Sequence, residues 1–315
     1  MLSFNAVDIY ENEIALPTPS YMTLNRDEDV PADDISVSFP VIKDLPELYK
    51  LTVSEDDEII FCGHIDEQQT VVSDSAVLTR LVARSMAAAL LDNESKPISY
   101  FCPSTSIIFS RHLEPFGLSS YKGSDIVLRE TLNIAKGMTN WQALYTFCMR
   151  AYGKSPRIEA DGTVNLNGIE CDKSVYFSNT DGSAYISIKE NNKRCNTLSD
   201  VWVKLSAGDG YILNVMNEDA KARRIKRERY LDATSASASP IVAQTMIRNS
   251  VDNSYELIVT SPERLVDVLG ASAVVDNPYI GKREGLYVSN IYYNLTPDGE
   301  RTTITLKRSN RNVDT

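Results

Sequence analysis

The sequence predicts a mainly β chain with a small α+β module in its middle. Three observations carry that expectation. Short alternating apolar and polar runs, separated by turn-forming residues, fill both ends of the chain. A single well-signalled helix followed by a hairpin signal occupies the centre. The composition, 43% hydrophobic and 24% charged over 315 residues, is that of an ordinary globular protein long enough for about two domains.

Within the first ninety or so residues, Ile35-Ser36-Val37-Ser38-Phe39 alternates with the period of a half-buried strand. Glu58 to Asp66 is a compact apolar run broken by Gly63, as at a bulge or bend. Gln69-Thr70-Val71-Val72 and Ala76 to Val82 read as paired strands joined by turn chemistry at Ser73-Asp74-Ser75. Strands at this spacing predict a small antiparallel barrel or sandwich. Met86 to Leu91 then has helix propensity for about two turns. Asp92 to Pro97 reads as a linker, because turn formers cluster and a proline stops the helix.

Segment 97–173 is expected to be α+β. Ser104 to Leu113 reads as a short helix with Ile107, Ile108 and Leu113 as its apolar members. Ile126-Val127-Leu128 is strand-like. Thr139 with Gln142 makes a capping-box pattern. Trp141, Leu144, Tyr145 and Cys148 follow on one helical face, and Gly153 is placed to end the helix. Asp161-Gly162, between two short apolar runs, signals a two-residue hairpin turn.

Segment 174–315 is again strand-rich. Val201 to Leu205 and Tyr211 to Val215 flank a glycine-containing turn, Ala207 to Gly210. Ser235 to Ser239 reads as a loop leading to a helix from Pro240 to Asn249, a helical insertion around 236–250. Gly285 to Tyr293 is expected to pair with Thr302 to Leu306 across Thr296-Pro297-Asp298-Gly299. The expected domains are therefore 1–96, 97–173 and 174–315.

Composition excludes more chemistry than it suggests. With 32 basic and 43 acidic residues the net charge is −11, which argues against a chain devoted to gripping nucleic acid. Five scattered cysteines, never in a C-x-x-C pair, fit free thiols better than disulfides or zinc. Two histidines leave little material for a His base or a His-rich metal site. No phosphate loop, dinucleotide fingerprint, nucleophile elbow or zincin motif occurs. No cofactor is expected. No apolar stretch approaches membrane-spanning length, and Met1 to Asp8 lacks the features of a cleaved secretory signal, so synthesis in cytosol is expected. The sequons at Asn93 and Asn294 are then chance matches.

A few residues merit individual weighing. His64 and Asp66, at i and i+2 on a strand, share a face and can pair, although a surface histidine is the simpler reading. His112, between Arg111 and Glu114, has no better case. Trp141 and Trp202 read as core anchors. The one conspicuous charge run is Lys221, Arg223, Arg224, Lys226, Arg227 and Arg229, broken by Ala222, Ile225 and Glu228. It reads as an intersubunit or partner-binding surface, expected to meet acidic protein. The competing reading is a solvated strand or loop offset by Glu218, Asp219 and Glu228.

Three stretches carry a family resemblance. They are Glu58 to Glu67 with the strand pair and Asp92-Asn93-Glu94-Ser95 after it; Ala135 to Leu144 with Pro156-Arg157-Ile158 and Asp161-Gly162; and Tyr287 to Tyr293 with Thr303 to Arg308. In their order the chain resembles baseplate hub proteins of contractile phage tails and tail-like particles, especially those of Gram-positive prophages. These belong to the late-control-protein-D and Mu-type hub family. The resemblance implies two tail-tube-like antiparallel β-barrels per subunit plus a small helix-and-hairpin module. It implies a homotrimer forming a pseudo-sixfold ring between the sixfold tail tube and the threefold spike. Implied partners are the central spike, tail tube and tube-initiator, tape measure and baseplate wedge proteins. DNA would be passing cargo only, and that only if the particle is a phage, with no membrane insertion by this chain. The implied location is the baseplate of a particle assembled in host cytoplasm. A non-enzymatic role follows, with a tail-associated cell-wall hydrolase, or a nucleic-acid module using residues 221–229, as alternatives.

Overall fold

The computed structural model of the chain describes residues 1–74, 77–204, 210–232 and 240–308. They form two compact units. The first comprises the described residues of Met1–Ser174 with Ser261–Ala271 and Ser289–Thr303. The second comprises the described residues of Val175–Thr260 with Ser272–Val288 and 304–308.

The first unit opens with strands β1 Leu2–Asp8, β2 Glu13–Leu16, β3 Tyr21–Asp27, β4 Asp34–Pro40, β5 Leu48–Glu55, β6 Glu58–Val72 and β7 Val77–Ser85. It continues through α1 Ala87–Asp92, β8 Ile98–Phe101, α2 Thr105–His112, β9 Tyr121–Lys122, β10 Thr131–Ile134, α3 Asn140–Ala151, β11 Arg157–Ile158 and β12 Val164–Asn165. The second unit holds β13 Ser174–Phe177, β14 Ser187–Asn192, β15 Asp200–Val203, β16 Leu213–Met216, α4 Glu218–Ala222, β17 Glu228–Leu231, α5 Pro240–Asp252, β18 Tyr255–Ser261 and β19 Ser272–Val275. Two long strands, β20 Arg283–Thr296 and β21 Gly299–Arg308, supply residues to both units.

In the first unit the antiparallel order is β20-β3-β4-β7-β6-β5-β1-β2. Alternation decides which face is covered. Ile35, Val37 and Phe39 of β4 are buried, as their spacing predicts, and pack with Phe4, Met22, Leu24, Leu51 and Phe61. Gly63 has a steric purpose: a Cβ there would lie 2.1 Å from the Arg84 carbonyl oxygen. The register shift falls just beyond it, between Ile65 and Glu67.

Segment 97–173 and α1 surround a second core that includes Leu90, Ile108, Leu132, Trp141, Leu144 and Phe147. The α3 capping box is present: Gln142 N–H donates to Thr139 Oγ1, and Thr139 N–H to Gln142 Oε1. Asp92–Pro97, read as a linker, is anchored, with Ser95 buried and its N–H donating to the Met138 carbonyl at 2.7 Å. Two local expectations are corrected. Ile126–Leu128 is no strand, only a bridge of Val127 to Ser104, because its backbone serves the start of α2: Ile126 accepts from the Thr105 N–H, and Leu128 donates to the Pro103 carbonyl. The turn at Asp161-Gly162 is longer than two residues. Glu159 N–H donates to the Thr163 carbonyl at 2.8 Å, and Gly162 takes φ +88.

Arg157 ties this module to the first sheet. It is buried, pairs with Asp33, and donates to the Asp27 and Val30 carbonyls, each at 2.9 Å. Asp33 also accepts from Arg26 Nε at 3.2 Å.

The second unit has the order β14-β18-β21-β20-β19-β13. Between β14 and β18 lies a three-stranded sheet, β16-β15-β17, with β15 antiparallel to β16 and parallel to β17. The helix read at Pro240 is α5. Its Ala243, Met246 and Ile247 pack on Val201, Val203 and Leu231 of this sheet. The turn read at Ala207–Gly210 and the loop Ser235–Ser239 lie outside the described residues, apart from Gly210. No helix among the described residues is long and apolar enough to cross a membrane.

Candidate functional site

The basic run begins on α4, whose N-cap Asn217 accepts the Ala220 N–H at 3.1 Å. Lys221 sits in the last turn, where a cation suits the helix C-terminus. Its Nζ lies 3.0 Å from Asp200 Oδ1. Burial pushes the Asp200 carboxyl up, but hydrogen bonds from Asn214 and Lys221 outweigh it and hold the group below its ordinary value. Arg223 caps the helix, and Arg224 turns the chain at φ +57. The chain then runs extended into β17, with the Arg227 carbonyl accepting from Ser199 N–H at 2.9 Å.

Of the six cations, only Lys221 has a carboxylate within ion-pair distance among the described residues. Arg223, Arg224, Lys226 and Arg229 are exposed and Arg227 is half-buried. The run therefore divides. Lys221, Arg223 and Arg224 mark the end of α4, whereas Arg227 and Arg229 line an open groove of about 540 Å³. Lys193, Lys307, Asn249 and Asn253 are among its other polar lining residues. Lys193 Nζ is 2.6 Å from Glu256 Oε2. The Glu256 carboxyl is raised by burial, but Lys193 and Asn191 lower it further, so it stays ionised. Sequence reading missed Lys193, Lys307, Asn249 and Asn253. Only the four-residue spacing of the two asparagines, Asn249 on α5 and Asn253 just beyond its end, hinted that they lie close together.

Charge is distributed unevenly. The described residues of the first unit hold 16 basic against 30 acidic residues, net −14. Those of the second hold 15 against 11, net +4. The groove thus lies in the basic unit of an acidic chain.

The histidines build no reactive centre. His64 and Asp66 do not pair, because Arg84 takes the Asp66 carboxylate with Nε at 2.7 Å and Nη2 at 3.0 Å. The bulge at Ile65–Glu67 breaks the alternation that would have kept them on one face. His64 Nε2 is buried without a hydrogen-bond partner, and burial, then Lys50, lowers its pKa. His112 is buried beside Ser95, Tyr100 and Asn140. Ser95 Oγ and Asn140 Oδ1 both approach Nδ1, at 3.2 and 2.9 Å, and Tyr100 OH reaches Nε2 at 3.0 Å. A nucleophile–base–orienter arrangement needs the serine and the orienting group on opposite ring nitrogens. This cluster is instead a satisfied polar core in which burial, the largest influence, keeps the imidazole neutral. No cluster of three or more metal-ligating side chains occurs among the described residues. Trp141 is buried in the module core, and Trp202 is half-buried on β15.

No protein-family model and no curated protein matches the chain in sequence. Solved structures do match. A tail protein from Neisseria meningitidis MC58 superposes with a TM-score of 0.77 at 18% identity, covering 98% of this chain and 96% of that one. The 43 kDa tail protein of prophage MuSo2 from Shewanella oneidensis gives 0.79 at 13% identity, covering 98% and 97%. The prophage tail protein gp18 from Listeria monocytogenes EGD-e gives 0.60 at 11% identity, covering 99% and 96%. The chain has the fold of these tail proteins. It is mainly β, with a large antiparallel sheet, small sheets and few helices, as the sequence predicts.

Proposed function

We propose that this chain is a structural baseplate-hub subunit of a contractile tail or tail-like injection particle. In this reading it is a homotrimer joining the sixfold tail tube to the threefold spike. One observation carries the reading: the shared fold extends over nearly the whole length of this chain and of two tail proteins. Two β-rich units per chain support it further, since three copies supply six such units to a pseudo-sixfold ring. The order of features described above resembles the hub family specifically. The expected neighbours are the spike, the tube and its initiator, the tape measure and the wedge proteins. Lys221, Arg223, Arg224, Lys226, Arg227 and Arg229 are assigned to a contact with a partner chain. No catalytic step is assigned to the chain.

Light scattering of the purified protein tests the assembly. Three copies of 35.1 kDa give a mass of about 105 kDa. Imaging of intact particles with a labelled copy should place the chain at the junction of tube and spike. A protein that stays monomeric at high concentration and is absent from tail particles overturns the proposal.

A further inference from the structure

The three-stranded sheet of the second unit leaves one edge open beside the basic groove. Among the described residues, strand β17 pairs only with β15. The Ser199 and Lys204 N–H groups donate to the Arg227 and Leu231 carbonyls, at 2.9 and 3.0 Å. By the alternation of a strand, Glu228 and Tyr230 therefore direct their main-chain groups to the opposite side. No strand among the described residues occupies that side. The Glu228 carbonyl accepts one bond there, from Arg229 Nη1 at 3.2 Å, and its second lone pair remains.

The side chains flanking this edge are sorted by face. Arg227 and Arg229 share one face and line the groove. Two residues along a strand span roughly 6.6 Å. Side chains at alternate positions of an added strand would repeat at the same interval. On the other face, Tyr230 is 57% exposed and stands edge-on to Tyr211, with ring centroids 5.1 Å apart. That face offers two aromatic rings to the intervening side chains, with the Tyr230 hydroxyl donating to Glu228 Oε2 at 3.2 Å. Arg223, Arg224 and Lys226 add three cations with no carboxylate in ion-pair range among the described residues.

We propose that the open edge of β17 receives an extended acidic segment of a partner protein as an added strand, with Arg227 and Arg229 holding its carboxylates. The segment alternates acidic residues toward the groove with apolar residues toward Tyr230 and Tyr211. Main-chain bonds supply the affinity, and the arginines supply the selectivity. Nucleic acid fits less well, because it offers no strand of amides for the Glu228 and Tyr230 groups. The inference stands on the second unit alone and does not depend on the particle to which the chain belongs.

The probe is a fluorescein-labelled octapeptide alternating glutamate and valine. A glutamine–valine peptide and a short duplex DNA serve as comparisons. Fluorescence anisotropy should show salt-sensitive binding of the acidic peptide, at least ten-fold stronger than that of the glutamine peptide. Arg227→Gln/Arg229→Gln should weaken it at least ten-fold. Glu228→Pro separates strand addition from bulk charge. It removes an outward N–H that β15 does not use, and it also removes a negative charge. Strand addition predicts weaker binding of this variant, whereas charge attraction alone predicts equal or tighter binding. In the unmutated protein, peptide should slow hydrogen exchange of the Glu228–Leu231 amides. Absence of peptide binding, equal binding of the glutamine peptide, undiminished binding by Glu228→Pro, or DNA binding in place of peptide each overturns the proposal.

Discussion

Removing Asp33 should unfold the first unit at a much lower denaturant concentration. The Asp33, Arg157 and Arg26 side chains are 4%, 7% and 11% exposed, so one carboxylate compensates two nearly buried guanidinium groups. Asp33→Ala leaves both cations in place without their anion. Breaking a buried pair in this way typically costs about 3–5 kcal/mol, most of it the penalty of the uncompensated charge. Two charge-assisted hydrogen bonds at about 1.5–3 kcal/mol each give about 3–6 kcal/mol, which overlaps that range. With a urea m-value near 3 kcal/mol/M, at the upper end for single domains, the midpoint should fall by about 1–1.7 M. Trp141 reports this unit and Trp202 the other, so the measurement is best made by fluorescence in a Trp202→Phe background. Replacing Asp33, Arg26 and Arg157 together by apolar residues of similar volume should recover most of the loss. A midpoint for Asp33→Ala within about 0.3 M of the parent would show that water or rearrangement already compensates these charges, refuting the argument.

Other consequences follow from equally local features. Gly63→Ala forces a Cβ against the Arg84 backbone and should cost about 1–3 kcal/mol in the same urea assay. Thr139→Ala removes the capping bond of α3 and should cost about 1 kcal/mol, with Thr139→Ser retaining most of the stability. His64 and His112 both have lowered pKa values in the folded state, mainly through burial. Between those values and the unfolded value of about 6.5 the unfolded chain binds more protons. The histidine contribution is therefore complete above about pH 6.5 and is lost as pH falls through the folded-state values. The urea midpoint should decline from pH 7.5 to pH 5, and the decline should be shallower in a His64→Gln/His112→Gln variant. An equal slope in that variant would assign the pH dependence to other groups.

Features set within a few residues of one another were legible in the sequence. The alternation of Ile35 to Phe39, the Thr139–Gln142 capping box and the stop at Gly153 each depend on backbone geometry over one or two turns or strand repeats. Any fold containing those segments would form them. Short-range reading failed where a neighbour claimed the same atoms. Ile126 to Leu128 has strand composition, yet its backbone groups were claimed by α2 and Pro103. The His64–Asp66 pair that the i, i+2 spacing allowed does not form because Arg84, brought alongside by the β6–β7 pairing, offers that carboxylate a bidentate charged donor.

By itself the sequence determined that the chain is mainly β at both ends, helical in the middle, acidic overall and locally basic between residues 221 and 229. Tertiary structure alone decided what that basic run faces. Lys193, Arg227, Asn249 and Lys307 lie far apart along the chain and line one groove only because β14, β17, α5 and β21 come together in the second unit. The physical reason is range. Turn chemistry and side-chain periodicity act between near neighbours, whereas a groove, a buried ion pair or an open strand edge is defined by which distant segments pack together and which fail to arrive.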